Sequence, residues 1–283
     1  MVAETPTVIH IACSTFLSLV CFRNYCEGLL LLCAKNLFWE GTITLVLPTL
    51  IIGIRGTWQG VFTRLVIIET AINLTAILAR WSARKSFGFP LRWSLLVLIF
   101  CQTIGFVWNQ LDRKLWVSAA STVILGSTLL VHIFTGRATV RVKKRKETTM
   151  WNGQPTDFKL RIIYLLWVLQ VLWQDYALCS RKLLFAYYHI ASLWVSMSKS
   201  DFFQARLLTA CHGIVFTKLM DWLDPSLVSS YFAVLPESWI LSCEALGELF
   251  SIISFSGLLL ISFLYFQTVF NARESLSLQK SGH

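Results

Sequence analysis

Apolar runs recur along the entire chain, at residues 9–22, 28–54, 65–79, 93–108, 115–134, 162–178, 183–197, 207–219 and 240–270. A helix needs about 20 residues to cross the hydrocarbon of a bilayer, so the longer runs suffice alone and the shorter ones draw on their flanks. Of the 283 residues 55% are hydrophobic and 14% are charged, against roughly 25% charged in an ordinary soluble domain. A soluble fold has no interior large enough for that much apolar surface, whereas a bilayer removes the need to hide it. The runs are continuous and do not alternate, which excludes a transmembrane barrel. The expected fold is all-α, a polytopic transmembrane helix bundle of seven to nine helices.

The whole chain, 1–283, reads as a single transmembrane domain with a basic loop at about 136–160. That loop holds Arg137, Arg141, Lys143, Lys144, Arg145 and Lys146, while Arg80, Arg84, Lys85 and Arg92 flank the loop before the preceding pair of helices. Both fall on one side if each intervening segment crosses once, and the positive-inside rule makes that side cytoplasmic. With nine crossings, Asp221, Asp224 and Glu237 then fall on the opposite side. The formal charge of +10 is thus a topology signal and not a nucleic-acid footprint; the loop is able to touch anionic lipid, with no specific motif for it. The first run follows an acidic start at Glu4 and has no convincing cleavage site, so it is expected to remain as a helix.

Polar groups inside apolar runs are the informative ones, because each is costly unless it faces a bundle interior or a cavity. Asn36 and Glu40 are four apart and therefore share one helical face. Glu69 and Asn73 repeat the spacing one run later, with interhelical hydrogen bonding as the competing role. Asp175, Glu244 and Glu248 complete the set. A carboxyl group among apolar and tryptophan side chains favours its protonated form, which is the form a general acid needs. Aromatic faces such as Trp39 would stabilise a developing cation. The histidines sit singly, the eight cysteines form no paired ligand motif, and no metal or nucleotide motif is present; no metal or cofactor is expected.

The stretch Cys33-Ala-Lys-Asn36-Leu-Phe-Trp39-Glu40, followed by Pro48, resembles the integral-membrane terpene cyclases of fungal meroterpenoid and indole-diterpene biosynthesis. Members carry Asn-x-x-Trp-Glu in their second helix and a proline eight residues after the glutamate. The resemblance implies a bundle of about seven helices that protonates the terminal epoxide or alkene of a prenylated substrate and so starts a cationic cyclisation. It implies that Glu40 is the acid within the matching Asn36, Trp39 and Pro48, and Ile72-Asn73 loosely matches a Leu-Asn pair of the family's next helix; by their spacing, Asn36 beside Trp39 and Glu69 with Asn73 are expected to orient or bind the substrate. The family's second acid is an aspartate in the last helix, where this sequence has none; Glu248 is the nearest substitute and Asp175 the alternative. The implied partners are a hydrophobic prenylated substrate drawn from the bilayer, membrane lipids and other enzymes of the pathway, and the implied location is the endoplasmic reticulum membrane. A proton-coupled or small-solute transporter using the same intramembrane carboxylates is the alternative function.

Overall fold

The computed structural model describes residues 8–35, 38, 39, 42, 46, 88–135, 157–172, 183–199, 202, 205, 206, 208–210, 212, 213 and 237–281. Among these residues the regular structure is entirely helical. The helices are α1 (Val8–Lys35), α2 (Gly88–Asp112), α3 (Trp116–Phe134), α4 (Phe158–Val171), α5 (Leu183–Met197) and α6 (Glu237–Ser281). The described positions within 202–213 are helical as well.

Among the described residues three spans are long and apolar enough to cross a membrane: Thr15–Cys33 in α1, Trp116–Phe134, which is α3 itself, and Glu248–Asn271 in α6. At about 1.5 Å per residue the 45 residues of α6 extend well beyond a hydrocarbon core of about 30 Å. The surface has the polarity of a membrane protein. Phe16, Phe100, Phe134, Leu260 and Phe263 point outward, while Gln110, Ser118, Ser121, Thr128, Ser192 and Thr209 are buried. Large apolar side chains on this much of the outside need lipid around them. The protein is a polytopic transmembrane helix bundle.

The runs at 9–22 and 28–54 were expected to be separate segments, and the structure joins the end of one to the start of the other. α1 continues through Arg23, Asn24 and Glu27 without a break. No glycine or proline interrupts those residues, and Arg, Asn and Glu are all tolerated in a helix. The charges also have partners: Arg23 and Glu27 pair across one helical turn at 3.7 Å, Lys199 approaches Glu27 at 3.4 Å, and the Arg23 guanidinium lies 5.1 Å from the Trp194 ring centre.

α2 and α3 form an antiparallel hairpin. The Lys114 N–H donates to the Leu111 carbonyl at 2.9 Å and the Leu115 N–H to the Gln110 carbonyl at 2.8 Å, with Lys114 at φ 60°. This is the pairing that ends helices on a left-handed residue, here a lysine in the place glycine usually takes. The buried face of α3 is built largely from Ser118, Ala119, Ser121, Thr122, Gly126 and Thr128. Small residues let backbones approach in lipid. A Cβ at Gly126 would run into the Thr103 side chain of α2.

α4 and α6 pack against this hairpin, and Phe106, Leu125, Leu160, Ile163, Trp167 and Leu258 share their core. Asp157 caps α4 by accepting from the Lys159 N–H at 2.9 Å. α1 packs on α5, with Cys26, Tyr188 and Val195 between them. Cys26 and Cys33 are buried and pack among apolar neighbours, Cys26 with Tyr188 and Val195 and Cys33 with Leu29 and Leu208.

Candidate functional site

The densest buried polar cluster among the described residues lies where α5 meets the segment around 202–213. Tyr188 stands at its edge, and a Cβ on Gly213 would collide with its ring, so this segment touches α5 at a point only glycine permits. His189 and Ser192 are three apart on α5, as Arg206 and Thr209 are on the facing segment, and each pair shares a face. The Arg206 guanidinium donates to Ser192 Oγ at 2.5 Å and through its other terminal nitrogen to His189 Nδ1 at 2.8 Å. A guanidinium only donates, so His189 accepts at Nδ1 and holds its ring proton on Nε2.

The hydroxyls continue the chain of donors. Ser192 and Thr209 are joined through their Oγ atoms, and the Thr209 hydroxyl donates to the Ala205 carbonyl at 2.7 Å. With the Thr209 proton committed, the Ser192 proton points to Thr209, leaving the Ser192 lone pairs for Arg206. Arg206 also lies 5.8 Å from the Tyr164 ring centre on α4 and is 4% exposed. Nearby, Tyr25 of α1 meets His212 at 2.6 Å between OH and Nε2, with the two rings stacked.

A second network ties α2, α3 and α4 together. Gln110 donates to Ser118 Oγ at 2.8 Å and accepts from Thr122 at 2.8 Å, and the Trp167 indole donates to Thr122 Oγ1 at 2.8 Å. Deeper toward the other end of α3, His132 Nδ1 and Tyr265 OH of α6 are 2.6 Å apart. Beside that pair an apolar groove of about 580 Å³ opens between α2, α3 and α6, walled by Trp93, Phe100, Leu130, Phe134, Val269 and Phe270.

Of the residues expected from the sequence to form the site, Asn36, Glu40, Glu69, Asn73 and Asp175 lie outside the described residues. Cys33 and Lys35, which open the Asn36–Glu40 stretch, belong to the last turn of α1. Phe38 and Trp39 are helical and largely exposed, with their rings edge to face at 5.6 Å. Glu248 stands exposed at the first position of the apolar span of α6 and takes no part in either polar network. No group of histidine, cysteine and carboxylate side chains suited to a metal occurs among the described residues.

Sequence reading did not find the Arg206 cluster. His189 and His212 stand alone in the sequence because their partners are on other segments, and Arg206 reads as the polar border of the run at 207–219. The available signal was an arginine bordering an apolar run with no acid within a helical turn on either side. Compared with protein-family models, curated proteins and solved structures, the chain matches none.

Proposed function

We propose that this protein is a membrane-bound terpene cyclase that starts a cationic cyclisation by protonating a prenylated epoxide or alkene. The observation that carries the reading is the spacing Asn36-x-x-Trp39-Glu40 with Pro48 eight residues on. Glu40 donates its proton to the epoxide oxygen, the C–O bond opens, and the positive charge migrates as the chain's double bonds attack in turn. Loss of a proton from the last cation closes the balance. Asn36 orients Glu40, Trp39 faces the cation, and Glu69 with Asn73 holds the polar end of the substrate. Glu248 or Asp175 serves as the second carboxylate.

The lipid-facing groove walled by Trp93, Phe100, Phe134 and Phe270 supports a greasy substrate, since its volume of about 580 Å³ falls in the range of ligand pockets. In this reading the substrate arrives laterally from the bilayer, the protein resides in the endoplasmic reticulum membrane with its basic loop in the cytoplasm, and it works beside the enzymes that make its substrate.

The test is Glu40→Gln in microsomes supplied with prenylated epoxides. Cyclisation is expected to fall by at least two orders of magnitude, on the order of what a positioned general acid contributes. Full activity in that variant would exclude Glu40 as the acid. Glu248→Gln and Asp175→Asn, assayed the same way, identify the second carboxylate by which of them loses activity.

A transporter is the second reading, favoured by the buried cation at Arg206, because ionisable groups inside a bundle often line a transport path. Solute or proton flux into liposomes that depends on Glu40 would establish it in place of the cyclase.

A further inference from the structure

Arg206 has the charge of an ion pair, and no described carboxylate pairs with it. It is 4% exposed, and its hydrogen bonds go to the Ser192 hydroxyl and to His189, both neutral acceptors. Its Nε–H is buried and meets no acceptor among the described residues. Among the described residues the carboxylate in ion-pairing range of a base is Glu27, which is taken by Arg23 and Lys199. Buried guanidinium groups in proteins are normally balanced by an anion, because neutral acceptors do not offset the loss of hydration.

The position of the cluster limits what the anion can be. His189 and Ser192 sit in the middle of α5, and the adjacent Tyr188 packs edge-on against Phe22 and Tyr25, near the centre of the Thr15–Cys33 span. Arg206 is therefore level with the Thr15–Cys33 span. The Tyr164 ring faces it and packs edge-on against the buried Phe202. A small hydrated anion would have to shed its water to pass such walls, whereas an anion carried on a hydrocarbon tail arrives from the lipid with most of its surface already at home there.

We infer that Arg206, positioned by His189 and Ser192, is a binding site for the oxyanion head of an anionic amphiphile, a carboxylate or a phosphate monoester on an apolar tail. The uncommitted Nε–H supplies the first hydrogen bond, and the guanidinium supplies charge and planar geometry suited to either head. The ligand's tail lies among the aromatic and apolar side chains of α1, α4 and α5. This site is separate from the chemistry assigned to Glu40 and stands whether or not the protein is a cyclase.

The full chain in phosphatidylcholine nanodiscs is titrated with oleate, oleyl phosphate and oleyl alcohol, and with acetate and inorganic phosphate as tail-less controls, following thermal unfolding and tryptophan fluorescence. At least one of the two anionic amphiphiles is expected to bind about tenfold or more tightly than the alcohol, the scale of one charge-assisted contact. Arg206→Gln is expected to bring that preference within about twofold, and Arg206→Lys to keep part of it, since the charge stays and the planar fork is lost. Equal binding of all three amphiphiles, or an undiminished preference in Arg206→Gln, overturns the site. Equally tight binding of acetate or phosphate overturns the amphiphile. Should Arg206→Gln fail to fold, a photoactivatable oleate on the wild-type protein decides: crosslinks on α5 and 202–213 support the site, and crosslinks elsewhere overturn it.

Discussion

On α4 the carboxamide of Gln170 is fully buried, at 0% exposure, and neither its oxygen nor its nitrogen meets a hydrogen-bonding partner among the described residues. Gln110 is buried to the same degree, yet its oxygen accepts from Thr122 and its nitrogen donates to Ser118. The two glutamines should therefore respond oppositely to an apolar substitute of similar volume. A buried polar group without a partner costs about 1–3 kcal/mol, so Gln170→Met is expected to raise stability by roughly 1 kcal/mol. Gln110→Met takes the donor from Ser118 Oγ and one of two acceptors from Thr122, whose hydroxyl keeps the Ser118 carbonyl, and is expected to lower it by about 1 kcal/mol, given the modest strength of interhelical hydrogen bonds in lipid. Unfolding of the two variants in graded SDS and mild-detergent mixtures checks both signs. A loss of stability at Gln170 would show that its carboxamide is bonded in the folded protein.

Among elements, the α2–α3 hairpin depends on backbone approach more than on apolar bulk. Lipid competes with every leucine contact, so close packing of small residues supplies much of the attraction between helices. Gly126 is where that approach is tightest, with Thr103 Oγ1 and Cγ2 occupying the space a Cβ would need. Thr103 cannot easily turn aside, because its hydroxyl is bonded to the Ile99 carbonyl at 2.8 Å and its side chain is β-branched. Gly126→Ala is expected to cost about 1–3 kcal/mol as an overpacking change. Thr103→Ala removes the two nearest atoms and should restore part of the loss in the double variant, a coupling that a thermal-melt cycle in detergent would read directly. An unchanged melting point for Gly126→Ala would mean that the helices are not in this register.

The same physics explains what could be read from the chain beforehand. Apolar runs report helices because a spanning helix must be continuously apolar, and α3, α5 and the apolar part of α6 fall where those runs do. The joining of 9–22 to the next run was hidden because Arg23 and Glu27 look like a break until Trp194 and Lys199, on α5 and just after it, are seen to accommodate them. The Arg206 cluster was hidden for a related reason. Its chemistry comes from His189 and Ser192 on one segment and Arg206 and Thr209 on another, and no spacing within one helix records a meeting of two. Asn36 and Glu40, by contrast, are four apart in the sequence and could be singled out from that spacing alone.

At the scale of the whole molecule, the ends of the bundle differ in charge. His132 near the end of α3 meets Tyr265 of α6, Lys159 at the start of α4 bonds Thr268 of α6 at 2.7 Å, and Arg161 donates to the Met197 carbonyl at the end of α5 at 2.8 Å. That last contact places a cation where the α5 dipole favours one. One end of the bundle thus holds the close of α3 and α5 and the opening of α4. It also receives the chain leading into Arg137–Lys146, residues that themselves lie outside the described structure. Glu237, Glu244 and Glu248 are on the opposite, N-terminal reach of α6. Because α3 is a full span, the turn at Arg113 and Lys114 must lie across the membrane from Phe134. The larger basic cluster should set the orientation and keep its own side in the cytoplasm. A glycosylation acceptor inserted between Arg113 and Lys114 is therefore expected to be modified in microsomes, and one inserted after Lys146 to remain bare. Modification of both would mean that α3 does not cross, and modification of the second alone would mean that the bundle is inverted. Replacing the four lysines and arginines at 143–146 with glutamine, with the rest of the chain intact, should yield a fraction of molecules in which the two acceptors exchange their behaviour.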